Sequence, residues 1–354
     1  MIYYLLPAFS FLLFISEIRV FKPKSIVRLI SCILILYVLY IGMFRGVGIG
    51  TDYYSYQDIF KTEAKIEVGF SALIKFVKSL GGGYQTFISF IFAISFLLKV
   101  FLFRKLSSYP YLSLMIYLGF WFLVYDMNGI RQGLSLGLTL WAVYFLSNNK
   151  ILYCTCMCIL SVLIHYSAFV FIPFIFLVRI QYSKRISIWV ITISIVLAYL
   201  GVTEIILNFF ITNMLDNSIA SRAISYGYNH VYNANILFSF STIHRLFIFI
   251  SILYFMDKIP LNPILKNILL WASLANLTFY LLFSGVEIIA TRLSLYYRII
   301  ECISLALIPL AFTKKSRILV GFIILLYVFT QVYSTLSIPD NNLIPYHSYM
   351  SHLF

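Results

Sequence analysis

Long apolar runs recur along this chain of 354 residues, and short polar stretches separate them. Most of the runs have the roughly 17 to 25 residues that a helix needs to cross the hydrocarbon core of a bilayer. Backbone polar groups in that core must be satisfied within the segment itself, so runs of this kind form helices. The pattern predicts an all-α polytopic integral membrane protein with spans at 2–18, 26–44, 84–103, 111–126, 131–147, 186–208, 236–256, 265–284, 296–312 and 317–336.

The apolar segment 151–178 is too long for one upright span and short for two. His165 and Ser167 lie in its middle, and a basic residue flanks each end, Lys150 before it and Arg179 after it. A single crossing would place one basic end outside, against the usual cytoplasmic bias of Lys and Arg. We therefore expect a short hairpin that turns near His165 and brings the total to about 11 to 12 transmembrane segments.

Composition supports a membrane protein, because 62% of the residues are hydrophobic and 11% are charged. So little polar sequence separates the spans that we expect one transmembrane domain over residues 1–354. A net charge of +14 would suggest a nucleic-acid partner for a soluble protein, but basic cytoplasmic loops explain most of it here. We expect no nucleic acid to bind. No cationic region precedes the run at Ile2, so the first span should stay in the mature protein.

The distribution of Lys and Arg predicts the topology. Assigning Lys22, Lys24 and Arg28 to the cytoplasm fixes every later loop, places 16 of the 26 basic residues inside and puts both termini outside. The ten others fall on the outer side: Arg45, Lys61, Lys65, Lys75, Lys78, Arg131, Arg222, Arg245, Arg292 and Arg298. An arginine within the membrane costs roughly 3 kcal/mol or more unless it is paired or faces water. These cations indicate an anionic ligand, with outer loops 45–83 and 209–235 forming part of its site.

The first candidate group of site residues lies at the exit of the second span. Arg45 and Asp52 flank a glycine-rich stretch, the tyrosines at 53, 54 and 56 follow, and Glu67 begins an amphipathic segment. Aromatic rings stack on the apolar faces of sugars while charged groups fix the hydroxyls, so this mixture is typical of a sugar site. For the tyrosines alone we favour the structural alternative, an aromatic belt at the membrane interface. For Asp52 we favour a functional role.

The second and third groups are rich in arginine. Arg131 and Gln132 occupy the first turn of a predicted helix, where free backbone N–H groups and the helix dipole favour an anion. The structural alternative is an ion pair between Arg131 and Asp126. The third group is carried by one segment near the end of the chain: Arg292, Tyr296, Tyr297, Arg298 and Glu301. Its alternative is an internal ion pair of Arg298 with Glu301, three residues away.

His165 lies at the predicted turn of the hairpin, near the outer face. A lone histidine in apolar surroundings is commonly a neutral, hydrogen-bonded structural residue, whereas in a short hairpin it can act as a general base or position a ligand. Both readings stay open. No spacing of metal ligands is present, so we expect no metal and no other cofactor.

Taken together, these motifs resemble the EpsG-like branch of the Wzy-type polymerases, which build O-antigen and capsular or exopolysaccharide in bacteria. The matching segments are 45–60 with Glu67 and Gly69, then 131–133, 165–168, and Tyr297 with Arg298. The resemblance implies an inverting, metal-independent glycosyltransferase in the bacterial cytoplasmic (inner) membrane. It would transfer a growing glycan from undecaprenyl diphosphate to a lipid-linked repeat unit at the outer, periplasmic face. A flippase and a co-polymerase that regulates chain length are the implied partners.

The resemblance also implies roles for residues. Arg131, Arg292 and Arg298 would bind the diphosphate, because the guanidinium fork suits phosphate oxygens, with Arg45 and Arg222 as supports. Gln132 and Tyr297 would bind substrate beside them. Asp52 or His165 would deprotonate the acceptor hydroxyl, with Glu67 as a third candidate. An O-antigen ligase would use the same donor, although its outer loop is usually longer, and a transporter or flippase would place charge along a central path.

Overall fold

The computed structural model describes residues 1–19, 24–63, 66–202, 205 and 236–352. These ranges contain no β-strand, and the only bridge between extended segments joins Arg45 to Ser348. We number the described helices α1 (Ile2–Arg19), α2 (Lys24–Met43), α3 (Tyr53–Thr62), α4 (Val68–Ser79), α5 (Tyr84–Leu106), α6 (Pro110–Gly119), α7 (Ile130–Ser147), α8 (Ile151–Ile164), α9 (Phe174–Leu177), α10 (Lys184–Tyr199), α11 (Phe240–Met256), α12 (Pro263–Leu282), α13 (Glu287–Arg298), α14 (Glu301–Leu307) and α15 (Lys314–Leu336).

The predicted all-α polytopic membrane fold is confirmed. Among the described residues, α2, α5, α12 and α15 are each long and apolar enough to cross a bilayer. The pair α13 and α14, bent by 51°, forms a fifth candidate span, and several shorter apolar helices accompany them. The full number of spans and the single domain over residues 1–354 stay predictions, and span 186–208 lies partly outside the described residues.

Three apolar runs are interrupted in the structure. The run 111–126 forms α6 and then a separate π-helical turn, Phe122–Asp126. The run 296–312 begins inside α13 and breaks between Arg298 and Glu301, both of which bond to polar neighbours. The predicted break at His165 is confirmed, because α8 ends at Ile164 and His165 has extended backbone angles. A 3-10 helix follows it. At the first two interruptions, the buried carboxylates of Asp126 and Glu301 bond to polar side chains on other helices.

The described residues form two compact units, 1–169 with 302–354 and 170–301. In the first unit, α7 packs against α5 and α8, while α1 packs against α6 and α15. The short helices α3 and α4 of the outer loop add their apolar faces to a cluster built on α5 and α7. Its aromatic centre contains Phe70, which makes an edge-to-face contact with Phe87. This cluster gives the polar loop 45–83 a rigid base.

The second unit is organised around α12, which packs against α10, α11 and α13. At its basic end, Asp257 accepts hydrogen bonds from Lys184 and Lys266 at 2.5 and 3.0 Å. These bonds hold the pKa of Asp257 below its usual range. Because Asp257 and Lys184 are well exposed and Lys266 is partly exposed, the ion pairs contribute little to stability. The unit depends instead on the apolar and aromatic packing of α12.

Segments predicted to share a side of the membrane meet at the same end of the first unit. The hydroxyl of Tyr3 donates to the carbonyl of Leu343, and the amide of Tyr349 donates to the carbonyl of Phe44. At the opposite end, Arg317 donates to the hydroxyl of Tyr109. The beginning of α1, the end of α2 and the segment after α15 therefore lie together. Which end faces outward stays a prediction from the charge distribution.

Single cysteines on a cysteine-free background test that orientation. Lys61→Cys and Ser337→Cys should react with a membrane-impermeant maleimide in intact cells, because both positions are exposed near the predicted outer end. Lys150→Cys and Lys315→Cys, which are exposed on predicted cytoplasmic segments, should react only after lysis. Labelling with the two pairs exchanged would reverse the topology.

Candidate active site

Arg131 and Glu67 form a partly buried ion pair in the first unit. The Nη1 atom of Arg131 donates to Oε2 of Glu67 at 2.7 Å. Glu67 directly precedes α4, and Arg131 lies in the first turn of α7. The Glu67 side chain is 7% exposed, whereas that of Arg131 is 25% exposed, so part of the guanidinium faces out. The guanidinium also packs over the ring of Tyr56, 5.6 Å from its centroid.

The structural alternative for Arg131, an ion pair with Asp126, is not what the structure shows. Asp126 bonds instead to Lys99, and Arg131 turns to Glu67. Arg131 is thereby oriented by a carboxylate from the outer loop. Its Nε atom has no hydrogen-bond partner among the described residues, although it is buried. This arrangement leaves the guanidinium with donor capacity beyond its bond to Glu67.

A buried hydrophobic cluster brings several predicted site segments together. Tyr56, Phe70 and Ile164 belong to one buried cluster with the first two turns of α7. Gly69 lies so close to the end of α8 that a Cβ there would be 2.7 Å from the carbonyl oxygen of Leu163. The start of α4 therefore rests on the backbone that leads into His165. Of the segments that carry the resemblance, the structure joins 45–60, 67–69, 131–133 and 165–168 in one unit.

His165 is half-buried, and its ring is engaged by Ser167. The Nδ1 atom lies 2.7 Å from the Ser167 hydroxyl and accepts from the Ser167 amide at 3.4 Å. An accepting Nδ1 in a neutral ring leaves the proton on Nε2. In this state neither ring nitrogen is free to take a proton from a substrate, so the geometry favours a positioning role for His165.

Arg45 is 1% exposed and bonds to the protein backbone. Its Nη1 atom donates to the carbonyl oxygens of Asp126 at 3.2 Å and Met127 at 2.6 Å. Close by, the Thr51 amide donates to Oδ1 of Asn128 at 2.8 Å. Segment 45–51 is thus fastened to the turn that precedes α7. The sequence predicted Arg45 as a support of the diphosphate, and the structure buries it against the carbonyls of this turn.

Lys99 and Asp126 form a fully buried ion pair that sequence reasoning missed. Lys99 Nζ lies 2.9 Å from each carboxylate oxygen, and each side chain is 1% exposed. Ser95 and Tyr117 donate to the same carboxylate at 2.5 and 2.6 Å, while Lys99 also donates to the carbonyl of Gly133 at 2.8 Å. The signal was present, because a lone lysine inside the predicted span 84–103 requires a partner.

The second unit contains a polar network of its own. Arg245, which is 4% exposed, donates to Asn276 at 2.6 Å and lies over the ring of Tyr280. Asn276 in turn donates to Glu301 at 2.7 Å, and the other oxygen of Glu301 lies 3.8 Å from Nε of Arg298. The predicted ion pair of Arg298 with Glu301 is therefore present. Arg298 lies beside Glu301, and Arg245 is linked to Glu301 through Asn276, so the network contains two arginines and one glutamate.

The remaining predicted site residues have different positions. Tyr297 is buried, stacks on Phe279 and donates from its hydroxyl to the carbonyl of Val170, contacts that serve packing. Arg292 is exposed on α13, and Gln132 is half-buried beside Arg131. Asp52 is half-buried directly before α3. Arg222 and the predicted loop 209–235 lie outside the described residues.

An open cavity of about 390 Å³ lies against α4. Glu63 and Lys75 line it together with the small residues Ser71 and Ala72. Its volume is within the range of small-ligand sites, and it adjoins the helix that Glu67 begins. Across the described residues, no three His, Cys, Asp or Glu side chains are grouped in a way that could hold a metal ion.

The profile of one protein family matches most of the chain. This is the EpsG family, and the match covers residues 27–348. The matched range begins in α2 and ends in the segment after α15. It includes the pair of Arg131 with Glu67 and the network of Arg245, Asn276 and Glu301. No curated protein matches the chain, and neither does any solved structure.

The buried Lys99–Asp126 pair predicts a strong stability effect. Lys99→Met or Asp126→Leu alone should destabilise the protein by about 3–5 kcal/mol, because each substitution leaves the charge of the other residue buried without a counter-ion. The double variant should be more stable than either single variant, since it removes both charges together. Thermal unfolding in detergent measures the three. The pairing would be contradicted if the double variant lost as much stability as the two single variants lose in sum.

Gly50 predicts a backbone effect at the same turn. Gly50 has φ of 97°, and a Cβ there would lie 2.5 Å from both the Met127 carbonyl oxygen and Oδ1 of Asn128. Gly50→Ala should therefore cost at least about 1–3 kcal/mol. Gly83→Ala is the matched control, because nothing lies within 4 Å of that Cβ and φ is negative. Equal unfolding temperatures for the two variants would refute the close contact.

Proposed function

The chain belongs to the EpsG family, and from this premise we propose that it polymerises lipid-linked oligosaccharide repeat units of O-antigen or capsule. The growing glycan leaves undecaprenyl diphosphate and joins a new lipid-linked repeat unit. The reaction takes place at the outer, periplasmic leaflet of the bacterial cytoplasmic membrane. A flippase supplies the repeat units, and a co-polymerase regulates chain length.

The observation that carries the proposal is the cluster of Arg131, Glu67 and Tyr56. Arg131 lies in the first turn of α7, where backbone N–H groups and the helix dipole already favour an anion. Its guanidinium remains partly exposed after pairing with Glu67. A diphosphate at this position would receive charge-assisted hydrogen bonds from a planar donor that Glu67 and Tyr56 hold in place.

The reaction is an inverting displacement. The acceptor hydroxyl oxygen attacks the anomeric carbon of the donor, and the bond from that carbon to the diphosphate oxygen breaks. The diphosphate leaves with the bonding electron pair, and the hydroxyl proton passes to a base. Negative charge grows on the leaving group, so fixed cations stabilise the transition state. Arginine side chains take the place of a divalent metal in this scheme.

We propose Asp52 as the base. Glu67 forms an ion pair with Arg131, so we assign it to orienting the guanidinium. His165 is committed to Ser167 through Nδ1. Asp52 is half-buried directly before α3, and its carbonyl accepts from the amide of Tyr56, whose ring lies under the Arg131 guanidinium. We assign His165 to positioning and Arg45 to support of the turn before Arg131.

The second unit supplies further cationic groups. Arg298 is 12% exposed beside Glu301, and Arg292 is exposed on the same helix. The family resemblance implies that both arginines bind phosphate and that Arg222 supports them, and these roles stay expectations from the sequence. Gln132 adds an amide beside Arg131. Tyr297 contributes by holding α13 in place through its bond to Val170.

Complementation of a gene deletion tests the function. Arg131→Ala should abolish the polysaccharide ladder while single repeat units stay attached to their surface acceptor. Arg131→Lys should retain weak polymerisation, because lysine keeps the charge and loses the fork. Arg104→Ala is the matched control, since Arg104 is exposed on the predicted cytoplasmic end of α5 and should not affect the ladder.

Gel electrophoresis of surface polysaccharide separates the rival activities. Loss of every repeat unit in the deletion strain would indicate ligation or flipping in place of polymerisation. An unchanged ladder in the deletion strain would refute the function altogether. A normal ladder with well-expressed Arg131→Ala would refute only the assigned role of Arg131.

A further inference from the structure

The segment that follows α15 folds back over the outer end of α2. The Gly46 amide donates to the carbonyl of His347 at 2.9 Å, and the Tyr349 amide donates to the carbonyl of Phe44 at 2.8 Å. Arg45 and Ser348 form an antiparallel bridge between these two contacts. Residues 339–349, which we name the return segment, are thus joined to segment 44–51 by an isolated antiparallel bridge.

Side chains extend this pairing along the whole return segment. The Thr51 hydroxyl donates to the carbonyl of Asp340 at 2.7 Å, and the Gly50 amide donates to the carbonyl of Asn342 at 3.3 Å. The Tyr346 hydroxyl donates to the carbonyl of Ile41 at 3.1 Å. Leu343 is 2% exposed, so the return segment also has an apolar anchor. Contacts distributed from one end of the segment to the other fix its register.

The opposite side of segment 44–51 bears on the turn before α7. Arg45 donates to the carbonyls of Asp126 and Met127. Asn128 receives the amide of Thr51. Segment 44–51 therefore lies between the return segment and this turn, and it is bonded to both. Arg131 lies in the first turn of α7, three residues beyond Asn128.

We propose that the return segment is a positioning element of the active site. It holds segment 44–51 in place, segment 44–51 holds the turn at 126–128 through Arg45 and Thr51, and this turn sets the position of Arg131. The inference rests on the proposed function, because it assigns Arg131 as the group to be positioned. The family profile extends through residue 348, so the match includes nearly all of the return segment.

Replacing residues 339–349 by a Gly-Ser linker of the same length tests the inference. The protein and its variants are reconstituted with lipid-linked repeat units extracted from the deletion strain, and glycan elongation is measured. The linker variant should lose about 100-fold in kcat/KM, because a misplacement of about 1 Å in a catalytic group has an effect of this size. A linker variant with wild-type elongation would overturn the inference.

Gly46→Ala tests the same contact with one added carbon. A Cβ at Gly46 would collide with the His347 ring, so the variant should push the return segment away from segment 44–51. Gly83→Ala is the control, since its Cβ meets nothing within 4 Å. Adding His347→Ala to Gly46→Ala removes the colliding ring and should restore part of the lost elongation. No difference between Gly46→Ala and Gly83→Ala would count against the inference.

A double-mutant cycle separates positioning from general stability. If the return segment acts through Arg131, the linker replacement should cost little further activity in an Arg131→Lys background, because the aligned fork is already gone. Independent losses that multiply would show that the segment does not act on Arg131. Wild-type protein that fails to elongate would refute the proposed function, whereas normal elongation by both return-segment variants would refute only this inference.

Discussion

The turn between the π-helical residues 122–126 and α7 is held by two buried cations, Lys99 on α5 and Arg45 in the segment after α2. Lys99 on α5 binds the Asp126 carboxylate and the Gly133 carbonyl, so it joins the turn to the first part of α7. Arg45 binds the backbone carbonyls of the same turn. A charge buried in the membrane is costly unless its partners are complete, and this requirement fixes the geometry of the turn. The position of Arg131 depends on it.

The cations discussed above fall into two groups by burial, one fully covered and one partly exposed. Lys99 and Arg45 are almost fully covered and bond to groups within the protein. Arg131 is a quarter exposed, and Arg298 is 12% exposed beside Glu301. An inaccessible cation acts only through the atoms it holds, whereas a partly open one can also meet a substrate. The cations therefore differ in what they can contact, although the sequence gives them the same charge.

Much of the fold followed from hydropathy, because long apolar runs must form helices in a bilayer. The helices, the break at His165 and the polar outer loop were predicted in this way. The interruption after α6 was not, because a π-helical turn depends on Asp126 reaching Lys99, Ser95 and Tyr117 on other parts of the chain. Local pattern carries no information about such distant partners.

The sequence by itself determined the fold class and the family. It also indicated Arg131, Glu67 and Asp52 as candidates, because charged groups beside membrane spans need a reason to be there. Only the tertiary structure decided which carboxylate meets which cation. Arg131 pairs with Glu67, 64 residues away, and Asp126 pairs with Lys99. Pairing depends on distances in space that helix packing sets, so basic residues of the same charge are partly exposed in one place, as Arg131 is, and fully buried in another, as Lys99 is.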